Sequence, residues 1–326
     1  MDAARIERTA VIGSGLMAAG LVQILAQAGC QVYLVGRSEQ SLRRCLGQVR
    51  DGLAAFVRYG WLEEDQVGAV LGRIVPTTSL ERAAAESEFT LETVVEDLEV
   101  KRGIFERLDC HAPADAILAT NTSGLSVGDI AEATSRPERV VGSHFFYPAA
   151  VVPLVEVGYG RVTSDRVVES TVAFWKRCGK EPVVCRGDLR GYLVNRLQLA
   201  LAREAISLVQ RGVAGPRDVD RAIRLGFGLR LPLTGVLEQR DWAGLDTHVA
   251  ATSSIYPTLE DSKVPLPILV EKVARGELGA KAGKGFYDWT GKDVESLRRK
   301  KQERLIRLLG ALREIVPEDD DLVENP

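Results

Sequence analysis

The sequence predicts an α/β protein: an N-terminal domain on a doubly wound, parallel β-sheet, followed by an all-α C-terminal domain. Three observations carry this. Short apolar runs alternate with helical patterns through the first half. A glycine-rich loop joins the first apolar run to the first helix. Near Val183 the pattern changes, and apolar residues then recur at helical spacing.

Taken in order, Thr9 to Ile12 reads as a buried strand and Leu16 to Ala28 as a helix ending at Gly29. Gln31 to Val35 is a second strand, and Ser38 to Tyr59 a long amphipathic helix. Further strands are expected at Arg73 to Thr77, Phe89 to Val95, Ala116 to Ala119, Arg139 to Ser143 and Pro153 to Val157, with a helix from Leu98 to Leu108. Such alternation predicts parallel strands joined by right-handed crossovers. The second domain opens with a helix from Leu193 to Arg211, broken at Gly212 to Gly215 and resumed from Arg217 to Leu225. The predicted boundary lies near Gly187, giving domains of 1–187 and 188–326. The tail after Lys292 reads as a surface helix, and the acidic last ten residues, Pro317 to Pro326, as frayed.

Gly13-Ser14-Gly15-Leu16-Met17-Ala18 lies between the first strand and first helix. This is the dinucleotide-binding fingerprint of a Rossmann-type sheet, with Ala at its third small position. Gly13 permits the tight turn, and Gly15 lets backbone amides approach a pyrophosphate at the helix N-terminus. Gly13, Gly15, Leu16 and Met17 are therefore candidate cofactor contacts. Enzymes using NAD commonly carry Asp or Glu at the end of the second strand to hold the ribose 2′-hydroxyl. Here that stretch reads Gly36-Arg37-Ser38, with no carboxylate before Glu39. A guanidinium and a hydroxyl can bond a 2′-phosphate that a carboxylate would repel. The expected cofactor is NADP(H) in preference to NAD, with Gly36, Arg37 and Ser38 as contacts. The alternative is a surface Arg37 and a Ser38 that only caps the next helix.

Composition narrows the class. The 326 residues are 45% hydrophobic and 27% charged, with a formal net charge of −3. That balance suits a soluble globular protein and gives no electrostatic case for nucleic acid or an anionic membrane. Arg298, Arg299, Lys300 and Lys301, with Arg304 and Arg307 at helical spacing, read as one solvated helix face. The five cysteines include no Cys-x-x-Cys pair, so neither a metal site nor a disulfide framework is expected, and a cytoplasmic location fits. The N-terminus reads as no signal peptide, and no apolar stretch is long enough for a membrane span.

Of three histidines, His111, His144 and His248, only His144 follows an apolar strand, in Gly142-Ser143-His144-Phe145-Phe146-Tyr147-Pro148. Twelve residues on, Leu154-Val155-Glu156-Val157 sets a carboxylate inside an apolar run. A buried Glu needs a partner. A histidine bonded to it through one nitrogen would be an acid/base of fixed tautomer.

With these segments goes a resemblance. The sequence resembles the L-3-hydroxyacyl-CoA dehydrogenase family along nearly its full length, and is similar to its lambda-crystallin and gulonate or carnitine dehydrogenase relatives. The matching segments are Gly13–Met17, Val95-Glu96-Asp97, Asn121-Thr122-Ser123, His144-Phe145-Phe146, Leu154–Val157, Val194-Asn195-Arg196 and Gly283-Lys284-Gly285-Phe286-Tyr287. The resemblance implies His144 as general acid/base and Glu156 as its orienting carboxylate. It implies Ser123 and Asn195 as hydrogen-bond partners of the reacting oxygen and substrate carbonyl. It places Glu96 and Lys101 near the nicotinamide end of the cofactor, with Asn121 among the cofactor contacts. It further implies hydride transfer at the 3-carbon of an acyl-CoA, and a homodimer formed through the helical domain. One departure stands out: the family's His-Phe-Phe-Asn-Pro has Tyr147 in place of Asn. That substitution reshapes the pocket and favours, as a second reading, a relative acting on a free 3-hydroxy acid or an acyl-carrier-protein thioester. A third reading is a non-catalytic nucleotide-binding or crystallin-like protein.

Overall fold

A computed structural model describes residues 6–315. The acidic tail 317–326 lies outside that range. The chain divides into two compact units, 1–196 and 197–326.

The first unit is a single eight-stranded sheet with helices on both faces. In chain order its elements are β1 (Arg8–Ile12), α1 (Leu16–Gln27), β2 (Gln31–Val35), α2 (Glu39–Arg58), α3 (Gln66–Gly72), β3 (Ile74–Thr77), α4 (Leu80–Glu86) and β4 (Phe89–Glu92). There follow α5 (Leu98–His111), β5 (Ile117–Thr120), α6 (Val127–Ala131), β6 (Val140–Phe145), β7 (Leu154–Gly158), α7 (Asp165–Arg177) and β8 (Glu181–Cys185). The strand order is β3-β2-β1-β4-β5-β6-β7-β8. The winding reverses between β1 and β4, and the carboxyl ends of such strands form the crevice where doubly wound sheets bind ligands.

The core explains why these segments are strands. Along β1, Val11 packs into the cluster holding Leu21, Leu25, Phe89, Phe174 and Trp175. Ala10 and Ile12 pack into a second cluster with Phe105, Leu108 and Ile130. β1 thus buries both faces, which is why such runs read as continuously apolar. Among the described residues, five helices begin on short polar side chains that accept an amide from their first turn: Ser38 before α2, Ser79 before α4, Asp97 before α5, Ser126 before α6 and Ser164 before α7.

The sheet departs from the expected all-parallel pattern at one edge. β6 and β7 pair antiparallel. The connection between Phe145 and Leu154 contains no helix. A parallel pairing would need a crossover longer than this loop provides. The structure also adds β8, parallel to β7, where no strand was expected. Its Glu181-Pro182-Val183-Val184 is half exposed, and a proline is tolerated because this is an edge strand. The first unit continues through Arg196, so it holds the 188–196 segment assigned from sequence to the second domain.

The second unit contains most of α8 (Val194–Gln210), with α9 (Pro216–Leu225), α10 (Val236–Ala243), α11 (Leu245–Ile255), α12 (Pro267–Ala274) and α13 (Val294–Ile315). It contains no named strand among its described residues. Ser207, Val219, Leu266 and Ile306 are buried there, whereas Leu199, Leu229, Leu237 and Trp242 are each more than 60% exposed. Arg298, Arg299, Lys300, Lys301, Arg304 and Arg307 on α13 are exposed, as expected of a solvated face. Among the described residues, no helix is long and apolar enough to cross a membrane.

Candidate active site

The glycine loop sits at the reversal of the sheet. Gly13 has φ +125°, and a Cβ there would lie 2.7 Å from the Thr93 carbonyl at the end of β4, so only glycine fits. Gly15 is the N-cap of α1, and no side chain caps that helix. A Cβ at Gly15 would meet nothing within 4 Å. Open space above uncapped helix amides is what a pyrophosphate requires, so the residues present fit a dinucleotide. Ala18 is fully buried, whereas Leu16 is exposed and Met17 packs partly against the core. Two residues beyond Ala18, a Cβ on Gly20 would lie 3.0 Å from Ala149, so small residues also let α1 approach the loop that follows β6.

At the end of β2, Gly36 donates its amide to Thr77, and a Cβ there would press on Leu42. Ser38 accepts the Ser41 amide at 3.3 Å, so its hydroxyl serves the helix cap. Arg37 is exposed.

The His144–Glu156 pair follows from strand register. Antiparallel pairing sets His144 directly opposite Glu156. His144 Nδ1 lies 2.8 Å from Glu156 Oε2, with both side chains buried. The carboxylate accepts, so the proton stays on Nδ1 and Nε2 is left for chemistry. Nε2 lies 3.0 Å from the Ser123 hydroxyl. The other oxygen of Glu156 accepts the amides of Leu193 and Val194, at 2.9 and 2.8 Å, at the start of α8. Asn195 is half-buried in that first helical turn, and its side chain makes no hydrogen bond among the described residues.

Ser123 is held from below. Glu96 Oε1 accepts the Thr122 hydroxyl at 2.6 Å and the amides of Ser123 and Gly124 at 2.9 and 2.7 Å. Burial alone would raise the Glu96 carboxyl. The Thr122 hydroxyl, these amides and nearby Lys101 outweigh that and hold it below the usual carboxylate range.

Two residues expected at the cofactor also make contacts within the scaffold. Lys101 is 1% exposed, and its ammonium is held by both oxygens of Glu92 at 2.7 and 2.9 Å. Glu96 is a more distant partner at 3.4 Å. Burial next to a counter-charge favours keeping the Lys101–Glu92 pair together. Asn121 accepts the Phe145 amide at 2.8 Å, tying the end of β5 to β6 rather than presenting its oxygen outward. Tyr147, in the Asn position of the family motif, is 49% exposed.

The comparisons agree with this architecture. Residues 8–189 match the family model described as 3-hydroxyacyl-CoA dehydrogenase, NAD binding domain, and residues 191–289 match its C-terminal domain. The chain belongs to the 3-hydroxyacyl-CoA dehydrogenase family. It is an oxidoreductase with a nicotinamide-nucleotide-binding domain. It is 36% identical over 291 residues to mitochondrial hydroxyacyl-coenzyme A dehydrogenase of Homo sapiens, spanning 87% of this chain and 91% of that protein. It is 34% identical to 3-hydroxybutyryl-CoA dehydrogenase of Clostridioides difficile, spanning 86% and 99%. Among solved structures, it is similar to (S)-3-hydroxybutyryl-CoA dehydrogenase from Ralstonia eutropha, with a TM-score of 0.74, 30% identity, and 87% and 99% of the two chains covered. It is also similar to 5-formyl-3-hydroxy-2-methylpyridine 4-carboxylic acid 5-dehydrogenase, described as an NAD+-dependent dismutase. There the TM-score is 0.88 at 28% identity, with 94% and 99% covered.

Sequence reasoning missed Glu92 and Tyr192. Glu92 carried a usable signal, since Phe89-Thr90-Leu91-Glu92 puts a carboxylate in an apolar strand just as Leu154-Val155-Glu156-Val157 does. Tyr192 carried none, because its place over the site depends on the turn before α8.

Proposed function

We propose that this enzyme interconverts a 3-hydroxyacyl and a 3-oxoacyl thioester of coenzyme A, with NADP(H) as the favoured cofactor. The observation that carries the reading is the Ser123–His144–Glu156 chain on the same sheet as the glycine loop. A bound nicotinamide would supply or accept the hydride. In reduction, His144 Nε2 gives its proton to the 3-oxygen, while Glu156 balances the charge of the ring. Ser123, within bonding distance of Nε2, steers that oxygen by a hydrogen bond. In oxidation Nε2 takes the hydroxyl proton. Asn195 holds the substrate carbonyl, and Glu96 fixes the Ser123 loop beside the nicotinamide end.

The test is the rate of nicotinamide oxidation with acetoacetyl-CoA, comparing NADPH with NADH. A fast NADPH-linked rate supports the reading. No turnover with either, in protein that still binds NADPH, rejects the thioester. Arg37 bears the cofactor preference, because Ser38 is engaged in its cap. Arg37→Ala should cut kcat/KM for NADPH by roughly tenfold or more, the scale of a lost charge-assisted bond, and leave NADH nearly unchanged. Equal losses with both cofactors would remove the assignment.

A second reading, oxidation or reduction of a carboxylic acid not bound to coenzyme A, rests on Tyr147 and on the similarity to the pyridine carboxylic acid dehydrogenase. Turnover of free acetoacetate or of an aromatic hydroxy acid, without acetoacetyl-CoA activity, would select it.

We further infer a homodimer through the helical unit. Leu199, Leu237 and Trp242 lie exposed on a unit with few buried side chains, an apolar surface that a second copy would cover. Sedimentation should give twice the 35.5 kDa chain mass, and Leu237→Glu should shift it toward monomer. A monomeric wild type would refute this. The five free cysteines suit a reducing, cytoplasmic setting.

A further inference from the structure

One buried aromatic residue stacks on the histidine of the acid/base pair and directly precedes the two amides that hold its carboxylate. Tyr192 is 2% exposed. Its ring stacks on the His144 imidazole, with centroids 4.9 Å apart and planes 12° from parallel. It is also the non-glycine residue with positive φ among those described, at +48°, directly after Gly191 at +82°. Left-handed backbone is strained for a residue with a Cβ and persists where the surroundings demand it. Here it turns the chain so that the next two amides, of Leu193 and Val194, converge on Glu156 Oε1.

The place of the ring is prepared by register. Gly142 pairs with Gly158, and two positions along the same ladder His144 pairs with Glu156. Side chains two apart share a sheet face. The glycine pair therefore opens a slot beside the His–Glu pair, and the Tyr192 ring fills it. A Cβ on Gly142 would overlap the Tyr192 hydroxyl, and one on Gly158 would overlap the ring edge. Among the described residues, the buried hydroxyl itself has no hydrogen-bond partner.

We propose that Tyr192 is the positioning residue of the acid/base pair: its ring fixes the plane of the His144 imidazole, and its left-handed backbone delivers the two amides that fix Glu156. The unpartnered hydroxyl assigns this role to the ring face and the backbone. The proposal rests on the reading of His144 as the acid/base.

The test compares Tyr192→Phe, Tyr192→Leu, Gly142→Ala and the double variant Gly142→Ala/Tyr192→Phe. Two readouts are used: kcat and KM for acetoacetyl-CoA reduction, and the imidazole ¹⁵N and Nδ1-proton resonances. The latter are tractable with only three histidines. Tyr192→Phe should keep kcat and the protected Nδ1 proton. Tyr192→Leu should lower kcat roughly ten- to a hundredfold with little change in nucleotide KM, the scale of a misplaced reacting group, and lose that protected proton. Gly142→Ala should push the ring aside with the same signature, and the double variant should recover most of the rate because the overlapping oxygen is gone. If Tyr192→Leu fails to fold, the Gly142 variants decide. A wild-type rate and an intact Nδ1 proton in Tyr192→Leu or Gly142→Ala would overturn the proposal, as would a double variant no better than Gly142→Ala. If His144→Gln keeps full activity, the acid/base reading fails. The resonances then judge the positioning alone, since they need no turnover.

Discussion

Replacing His144 with Gln is expected to lower kcat by about 10²–10⁴-fold, or roughly 3–5 kcal/mol of barrier, while leaving nucleotide affinity in place. Gln reaches about as far as the imidazole and can still donate to Glu156, so the buried carboxylate is not stranded. What it cannot do is give and take a proton where Nε2 now lies, 3.0 Å from the Ser123 hydroxyl. The loss should therefore fall on the chemical step. The glycine loop and the amides of α1 are untouched, so NADPH titration should return the wild-type dissociation constant. Full activity in His144→Gln would refute the acid/base assignment. A loss of nucleotide binding would mean that the substitution disturbs the fold between β6 and α1, where Gly20 approaches Ala149.

The residues behind that prediction were legible because each broke a local rule. Glycine at φ +125° before a helix, and a carboxylate in an apolar strand, are both costly unless the fold uses them. Their juxtaposition was less legible. Only the antiparallel turn between β6 and β7 sets His144 opposite Glu156, and strand–helix alternation argued for parallel pairing there. β8 escaped notice because Pro182 weakens the strand signal, and its valines, Val183 and Val184, are exposed. Lys101 and Asn121 were expected near the cofactor, and a sequence shows residue type but not the direction of a side chain. In the fold, Lys101 turns in to Glu92 and Asn121 turns across to the Phe145 amide. Ser38 was a two-way reading, and its hydroxyl does cap α2. Tyr192 depends on a backbone turn that no local pattern announces.

The inward turn of Lys101 leads to the largest expected stability effect. Lys101 and Glu92 are 1% and 0% exposed, and Glu92 also accepts the Val94 amide at 2.6 Å and the Thr120 hydroxyl at 2.7 Å. Lys101→Met should leave that carboxylate charged, buried and short of its counter-ion, at a cost of about 3–5 kcal/mol. Thermal unfolding should then begin roughly 10 °C lower. Adding Glu92→Gln removes the stranded charge yet keeps an oxygen for the Val94 amide and a group for Thr120 to bond. The double variant should therefore recover most of the lost stability, since an ion pair replaced as a pair is often neutral. The same variants separate the two possible roles of Lys101. Glu96 keeps Thr122, Ser123 and Gly124 without it, so a purely structural lysine predicts wild-type NADPH affinity in the stabilised double variant. A double variant that regains its melting temperature but binds the nucleotide tenfold more weakly would return Lys101 to the cofactor site.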